Sequence, residues 1–165
     1  MRLLTLVRHA KSSWDYPELS DFERPLNERG RRDAPLMADK LKKLPPRPDR
    51  LISSPALRAI TTAHVFADVL GFKHEEILLM PKIYEASANT LLRIVRALDD
   101  GDRHVVLFGH NPGFSQLAHL LAACNFDDLP TCALARFELP VKTWNEVTQD
   151  CGTLARYGAP KMFDS

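Results

Sequence analysis

The stretch His104-Val-Val-Leu-Phe-Gly-His110 constrains the fold more than any other. Its apolar residues run without alternation. A strand with one face in water alternates polar and apolar, whereas a strand covered on both faces does not. Such a strand belongs in the middle of a parallel sheet, and parallel strands need long crossovers, usually helices. The remaining sequence supplies them. Leu3–Val7 and Leu51–Ser53 read as short apolar strands and Ile77–Met80 as a third, while "CALARFEL" and "TLARY" supply later ones. "CALARFEL" alternates enough to sit nearer an edge.

Helical sequence alternates with these strands. A helix is expected over about Asn27–Leu44, with Pro35 either kinking it or marking a fresh start capped by Asp33. Ser54, Pro55 and Gly71 punctuate a second helix as cap, first helical residue and stop. Leu91, Ile94, Val95 and Leu98 share a third helical face. A fourth helix starts at Asn111 and buries Phe114, Leu117, Ala118 and Leu121. This order predicts an α/β protein: a three-layer α/β/α sandwich around a mostly parallel central sheet of about six strands. Met1 to Ser165 reads as one domain, and Ser12–Pro25 as a polar loop. "GAPKMFDS" at the end either packs along the sheet or frays.

Composition narrows the function. A net charge of +1 without a basic stripe argues against nucleic-acid binding. No apolar run is long enough for a membrane span or signal-peptide core. Cys124, Cys132 and Cys151 lack metal-ligand spacing and read as free thiols of a reducing cytoplasm. His64, His74, His104 and His119 likewise share no metal spacing and read as surface or satisfied core residues. The "RGRR" of Arg29–Arg32 reads as a solvated helix start.

Charged residues at strand ends are the contradiction to resolve. Leu3–Val7 runs straight into Arg8 and His9, and the strongest strand ends at His110. Arg58 lies in the first turns of the helix after the second strand. Ligands of open parallel sheets bind outside the carboxyl ends of the strands. Three separate stretches thus deliver Arg, His, Arg and His to one edge, where two helix N-termini also point. The expected target is a compact anion, a phosphoryl group.

"LVRHAKS", "RPLNERGRRDA", "SSPALRAITTA" and "FGHNPG" occur in the order found in the histidine phosphatase superfamily, and the chain resembles that superfamily from Leu3 to about Ala122. The closest likeness is to the short bacterial SixA-type phosphohistidine phosphatases. The resemblance implies a phosphoglycerate mutase-like fold and a metal- and cofactor-free phosphatase. It implies His9 as nucleophile, with Arg8, Arg58 and His110 binding the phosphoryl oxygens. Where the family has glycine after the motif histidine, this chain has Ala10, whose methyl is expected to loosen backbone approach to phosphate slightly. Cationic neighbours, with a protonated His110 as one candidate, are expected to keep His9 neutral.

Other residues keep two readings. Glu85 is either the proton donor to the leaving group or a solvated loop carboxylate. Lys11 is placed as a guide for phosphate, and Arg24 as a partner of Asp21 or Glu28. Trp14 and Tyr16 either meet a protein partner or anchor their own loop. Little sequence between Arg58 and His110 is left for a lid. An open cleft suits a phosphohistidine on a protein such as a histidine phosphotransfer domain. The alternatives are a small phosphomonoester covered by Ser12–Pro25, and a binding module without turnover.

Overall fold

The computed structural model describes residues 1–163. The chain forms β1 (Arg2–Arg8), α1 (Glu28–Lys42), β2 (Arg50–Ser53), α2 (Leu57–Leu70) and β3 (Leu78–Leu79), then α3 (Ala88–Arg96), β4 (His104–Gly109), α4 (Gly113–Leu121), β5 (Leu134–Leu139) and β6 (Thr153–Gly158). The six strands lie in the order β3-β2-β4-β1-β5-β6. The first four of these run parallel to one another, and β5 and β6 extend the sheet antiparallel.

Strand β4 is buried along its whole length, as its unbroken apolar sequence requires. Its alternate residues feed two cores. Val105 and Leu107 pack with Leu4, Leu6 and the inner faces of α3 and α4, including Val95, Phe114 and Leu117. Val106 and Phe108 pack with Val7, Leu51 and the inner faces of α1 and α2, including Met37, Leu41 and Phe66. Each such side chain contributes about 1.5–3 kcal/mol by leaving water. The result is the three-layer sandwich expected, with helices on both faces of a mostly parallel sheet.

Several boundaries differ from those expected. Helix α1 runs unbroken through Pro35, so no new helix starts at Asp33. Asn27 provides the cap, accepting from Gly30 N at 2.8 Å. Asp33 is buried instead and accepts from Arg29 Nε at 3.4 Å. Helix α2 begins at Leu57 rather than Pro55, with Ala56 and not Ser54 at the cap position, while Gly71 ends it at φ 82° as expected. Strand β3 shrinks to two residues, stopped before Pro81, which has no N–H for a ladder. Helix α4 starts at Gly113, two residues beyond Asn111. Strand β5 sits one position in from the edge, covered by β6.

The chain end does not leave the body at Gly158. A single 3₁₀ turn follows at Pro160–Met162, and Lys40 of α1 lies 4.3 Å from the Phe163 ring centre. Asp164 and Ser165 of the terminal segment lie outside the described residues. All three cysteines are free thiols. Among the described residues no helix is long and apolar enough to cross a membrane.

Candidate active site

Strand order brings the ends of β1, β2 and β4 side by side, because β4 pairs with both of the others. The backbone then locks the exits together. His9 N donates to Gly109 O at 2.9 Å, and Ser54 N donates to Phe108 O at 2.9 Å. Gly109 is required there, since a Cβ would drive into the Phe114 ring. His9 and His110 therefore leave adjacent strands with ring centres 5.3 Å apart.

Each imidazole is fixed by one hydrogen bond. His9 Nδ1 lies 2.7 Å from Ala10 O, a carbonyl that only accepts, so Nδ1 carries the proton and Nε2 holds a lone pair. His110 Nε2 lies 2.7 Å from Ser54 Oγ. Ser54, expected to cap α2, instead accepts from Ala56 N at 3.2 Å and holds this histidine. Its hydroxyl proton is free to point at Nε2, the arrangement in which His110 carries its own proton on Nδ1.

Both rings are neutral. Burial pushes His9 down to about 3, opposed by the Ala10 bond and reinforced by His110, Arg58 and Arg8. His110 falls to about 4, first through burial and then through Arg58. Desolvation thus outweighs the cationic neighbours expected to do this work, and a protonated His110 is not needed.

The arginines are held by acceptors that the sequence did not single out for them. Arg8 Nη1 donates to Leu129 O at 2.9 Å, a carbonyl shared with Asn111 Nδ2 at 2.9 Å. Burial lowers the Arg8 pKa, and Asp128 opposes this. Arg58 grips Asp21 twice: Nη1 donates to its carbonyl at 2.6 Å and Nη2 to its Oδ2 at 3.0 Å. The same Oδ2 accepts from Tyr84 Oη at 2.6 Å, and Arg24 Nη1 donates to Oδ1 at 3.1 Å. Three donors hold the Asp21 carboxyl down to about 2, with the Tyr84 bond the largest cause. The Tyr84 phenol rises to about 12 in turn. Two buried nitrogens, Arg8 Nε and His110 Nδ1, have no partner among the described residues.

Other expected residues fall unevenly. Glu85 is exposed, at φ 58°, on the wall of a cleft of about 500 Å³ that Asp21, Arg58, Tyr84 and His110 also line. Lys11 is exposed, and its side chain makes no hydrogen bond or ion pair among the described residues; its carbonyl accepts from Asn27 N at 2.9 Å. Ala10 is fully buried in the core between sheet, α1 and α2, and its N–H bonds Thr62 Oγ1 at 3.0 Å. Its methyl therefore fills core, and the expected loosening toward phosphate has no basis. Arg24 takes Asp21 of its two expected partners. It also lies 3.3 Å from the Trp14 ring centre, so Trp14, although 75% exposed, is part of the loop's own anchor. The "RGRR" segment is not wholly solvated: Gly30 is buried against the Lys11 carbonyl.

Among the described residues no three His, Cys, Asp or Glu side chains converge to hold a metal ion. His104 is a satisfied core residue, 2.8 Å from Thr5 Oγ1 and 3.0 Å from Pro46 O. His64 and His74 stack at 4.0 Å between ring centres, and His74 Nε2 lies 2.8 Å from Asp68.

The sequence profile of the histidine phosphatase superfamily (branch 1) matches residues 4–93. The chain belongs to that superfamily. This histidine phosphatase is 32% identical over 153 residues to a chloroplastic protein of Arabidopsis thaliana, covering 88% of this chain and 70% of the other. It is 29% identical to a Mycobacterium tuberculosis protein across 94% of this chain and 100% of the other. Among solved structures it superposes with a TM-score of 0.81 on an Agrobacterium tumefaciens protein assigned as the phosphohistidine phosphatase SixA, at 27% identity over 96% and 98% of the two chains. The protein histidine phosphatase SixA complexed with tungstate gives 0.83 at 24% identity, over 98% and 99%. Family and neighbours together make the chain a phosphatase with the phosphoglycerate mutase-like fold.

Proposed function

We propose that the chain is a metal-independent phosphatase that dephosphorylates phosphohistidine on a protein, in the cytoplasm, through a phosphohistidine formed on His9. The observation that carries this reading is the 2.7 Å bond from His9 Nδ1 to Ala10 O. It turns the lone pair of Nε2 away from the backbone, and burial keeps that lone pair unprotonated at physiological pH. A nucleophile needs both conditions.

In the first step the Nε2 lone pair attacks phosphorus in line. The new N–P bond forms as the bond to the leaving group breaks. The leaving imidazole takes up one proton, from Glu85 or from water. In the second step water attacks phosphorus; a P–O bond forms as the His9 N–P bond breaks, the water's proton returns to Glu85 or to solvent, and phosphate leaves with the Nε2 lone pair of His9 restored. Arg8 and Arg58 offer planar pairs of donors to the phosphoryl oxygens, and His110 Nδ1–H offers another. The two unpartnered nitrogens, Arg8 Nε and His110 Nδ1, are donors that an oxyanion would satisfy. These fixed donors supply the charge stabilisation that magnesium gives other phosphoryl-transfer enzymes. Exposed Lys11 steers phosphate toward the cleft. The three free thiols support a reducing compartment.

One observation favours the small-phosphomonoester reading. The Asp21 turn of the Ser12–Pro25 loop reaches the cleft wall and is tied across it to Tyr84. Rates on a phosphorylated histidine phosphotransfer domain and on a panel of sugar phosphates, all with EDTA present, separate the two. A clear preference for the phosphodomain, with an acid-labile, alkali-stable label on the wild type that His9→Ala lacks, is the expected result. Preference for a sugar phosphate overturns the substrate assignment. Turnover by His9→Ala at the wild-type rate overturns the mechanism, and activity lost to EDTA and restored by magnesium overturns metal independence.

A further inference from the structure

A second recess lies away from the catalytic cleft. It occupies about 950 Å³ between the β3 edge of the sheet and helix α3. Its floor is apolar, formed by Ile52, Leu78, Met80 and Ile94. Leu78 and Leu79 of β3 are 47% and 44% exposed, unusual for two adjacent leucines in a strand. An apolar recess of this size beside an open sheet edge marks a place where something docks.

Charge indicates what docks there. On the rim Arg50 and Asp102 neutralise each other at 3.2 Å, and the Asp99 carboxylate accepts from Gly101 N at 2.8 Å. Lys82 and Arg93 pair with no carboxylate among the described residues. Arg96 extends this cationic face into a smaller adjoining recess of about 500 Å³, and α3 contains no acidic residue at all. The surplus is positive, so the complementary surface is acidic.

Position links the groove to catalysis. The connection from β3 to α3 lines the groove with Met80 and Lys82. Two residues later the same connection lines the catalytic cleft with Tyr84 and Glu85. The groove and the cleft therefore share one short connecting segment as a wall.

We propose that this groove is the docking site for the phosphorylated protein, and that it receives an amphipathic helix whose apolar stripe is flanked by acidic residues. This rests on the protein-phosphohistidine reading of the cleft. A helix fits better than an added strand, because β3 offers only two residues of edge before Pro81, which has no N–H. Apolar side chains at helical spacing fill the floor between Leu78 and Ile94. Acidic side chains face Lys82 and Arg93, which speeds encounter and fixes register.

The test is the doubly reversed variant Lys82→Glu/Arg93→Glu, assayed on a phosphorylated histidine phosphotransfer domain and on an aryl phosphate. Both residues are exposed, so folding is preserved, and a melting curve checks it. The expected result is a loss of about tenfold or more in kcat/KM on the phosphodomain, with aryl phosphate turnover within about twofold of wild type. Equal loss on both substrates overturns the docking role, because the change then acts through the cleft. No loss on either, with the wild type active on the phosphodomain, places docking elsewhere. A wild type no faster on the phosphodomain than on aryl phosphate overturns both this proposal and the substrate reading beneath it. Leu78→Asp is the independent second variant, reporting on the apolar floor with the same pair of substrates.

Discussion

Arg58 and Asp21 meet end to end, the two terminal nitrogens of the guanidinium bonded to the carbonyl and carboxylate of one residue. That grip uses one hydrogen from each terminal nitrogen and leaves the Nε side of the fork free. Arg24 and Tyr84 pin the Asp21 carboxylate from either side. The Tyr84 ring stands edge-on to His110 at 5.5 Å and to Phe22 at 5.1 Å. One aspartate on a loop thus connects Arg58 to the wall behind His110.

Asp21 is expected to act as a positioning residue for Arg58, and a double-mutant cycle tests this. Hydrogen bonds to charged groups are worth roughly 1.5–3 kcal/mol, so Asp21→Ala is expected to lower kcat/KM by about ten- to a hundredfold. Asp21→Asn keeps an acceptor for Arg58 and loses less. In an Arg58→Ala background, removing Asp21 is expected to cost nothing further. Losses that multiply would instead show that Asp21 acts independently of Arg58.

His9 and His110 are expected to remain neutral across the working range. With folded pKa values of about 3 and about 4, neither ring gains a proton until well below its ordinary value near 6.5. Imidazole NMR resonances of both should stay fixed from about pH 8 to pH 5.5, a range in which an ordinary histidine titrates. A midpoint near 6.5 for His9 would show that burial does not hold its pKa down.

Gly30→Ala tests the packing of α1 on the loop that carries the motif. Alanine inside a helix is normally better than glycine by about 1 kcal/mol. Here the added Cβ would penetrate the Lys11 carbonyl, which Asn27 N also holds at 2.9 Å. A backbone atom cannot swing aside, so overpacking wins, and a net loss of about 2 kcal/mol is expected. Thermal unfolding measures it, and an unchanged or raised Tm would refute the contact.

Much of this was legible in the sequence, for a physical reason. Strand β4 could be read because burial on both faces leaves no room for polar residues. Arg8, His9, Arg58 and His110 could be placed because chain order and parallel pairing fix which strand ends share an edge. The roles of Asp21, Tyr84 and Ser54 could not. Each depends on a contact between segments distant in sequence, such as the bond from Tyr84 to Asp21, and no local spacing encodes it. Ser54 misled because a serine before a proline suits a helix cap as well as a histidine partner. Pro35 misled in the opposite direction: tertiary packing of α1 between sheet and α2 overrode its local preference to break a helix.

His104 makes the protein sensitive to acid from its core. It is 1% exposed; Nδ1 donates to Pro46 O and Nε2 accepts from Thr5 Oγ1, an arrangement only the neutral ring can make. Burial and then Arg136 push its pKa down to about 4. The unfolded chain takes up a proton near 6.5, and the folded one does not until about 4. Between those values the unfolded state binds more protons, so stability falls as pH falls, and it levels off below about 4. For this one residue the loss amounts to roughly 3 kcal/mol across the window. His104→Asn keeps a donor for Pro46 O but cannot titrate. It is expected to be less stable than wild type at about pH 7.5, by roughly 1–3 kcal/mol for the altered packing and the lost Thr5 bond. The gap should then narrow toward about pH 4.5, because only the wild type pays for the proton. Urea unfolding at several pH values follows the difference. Two stability curves that run parallel through this range would mean that His104 is not the core group linking folding to pH.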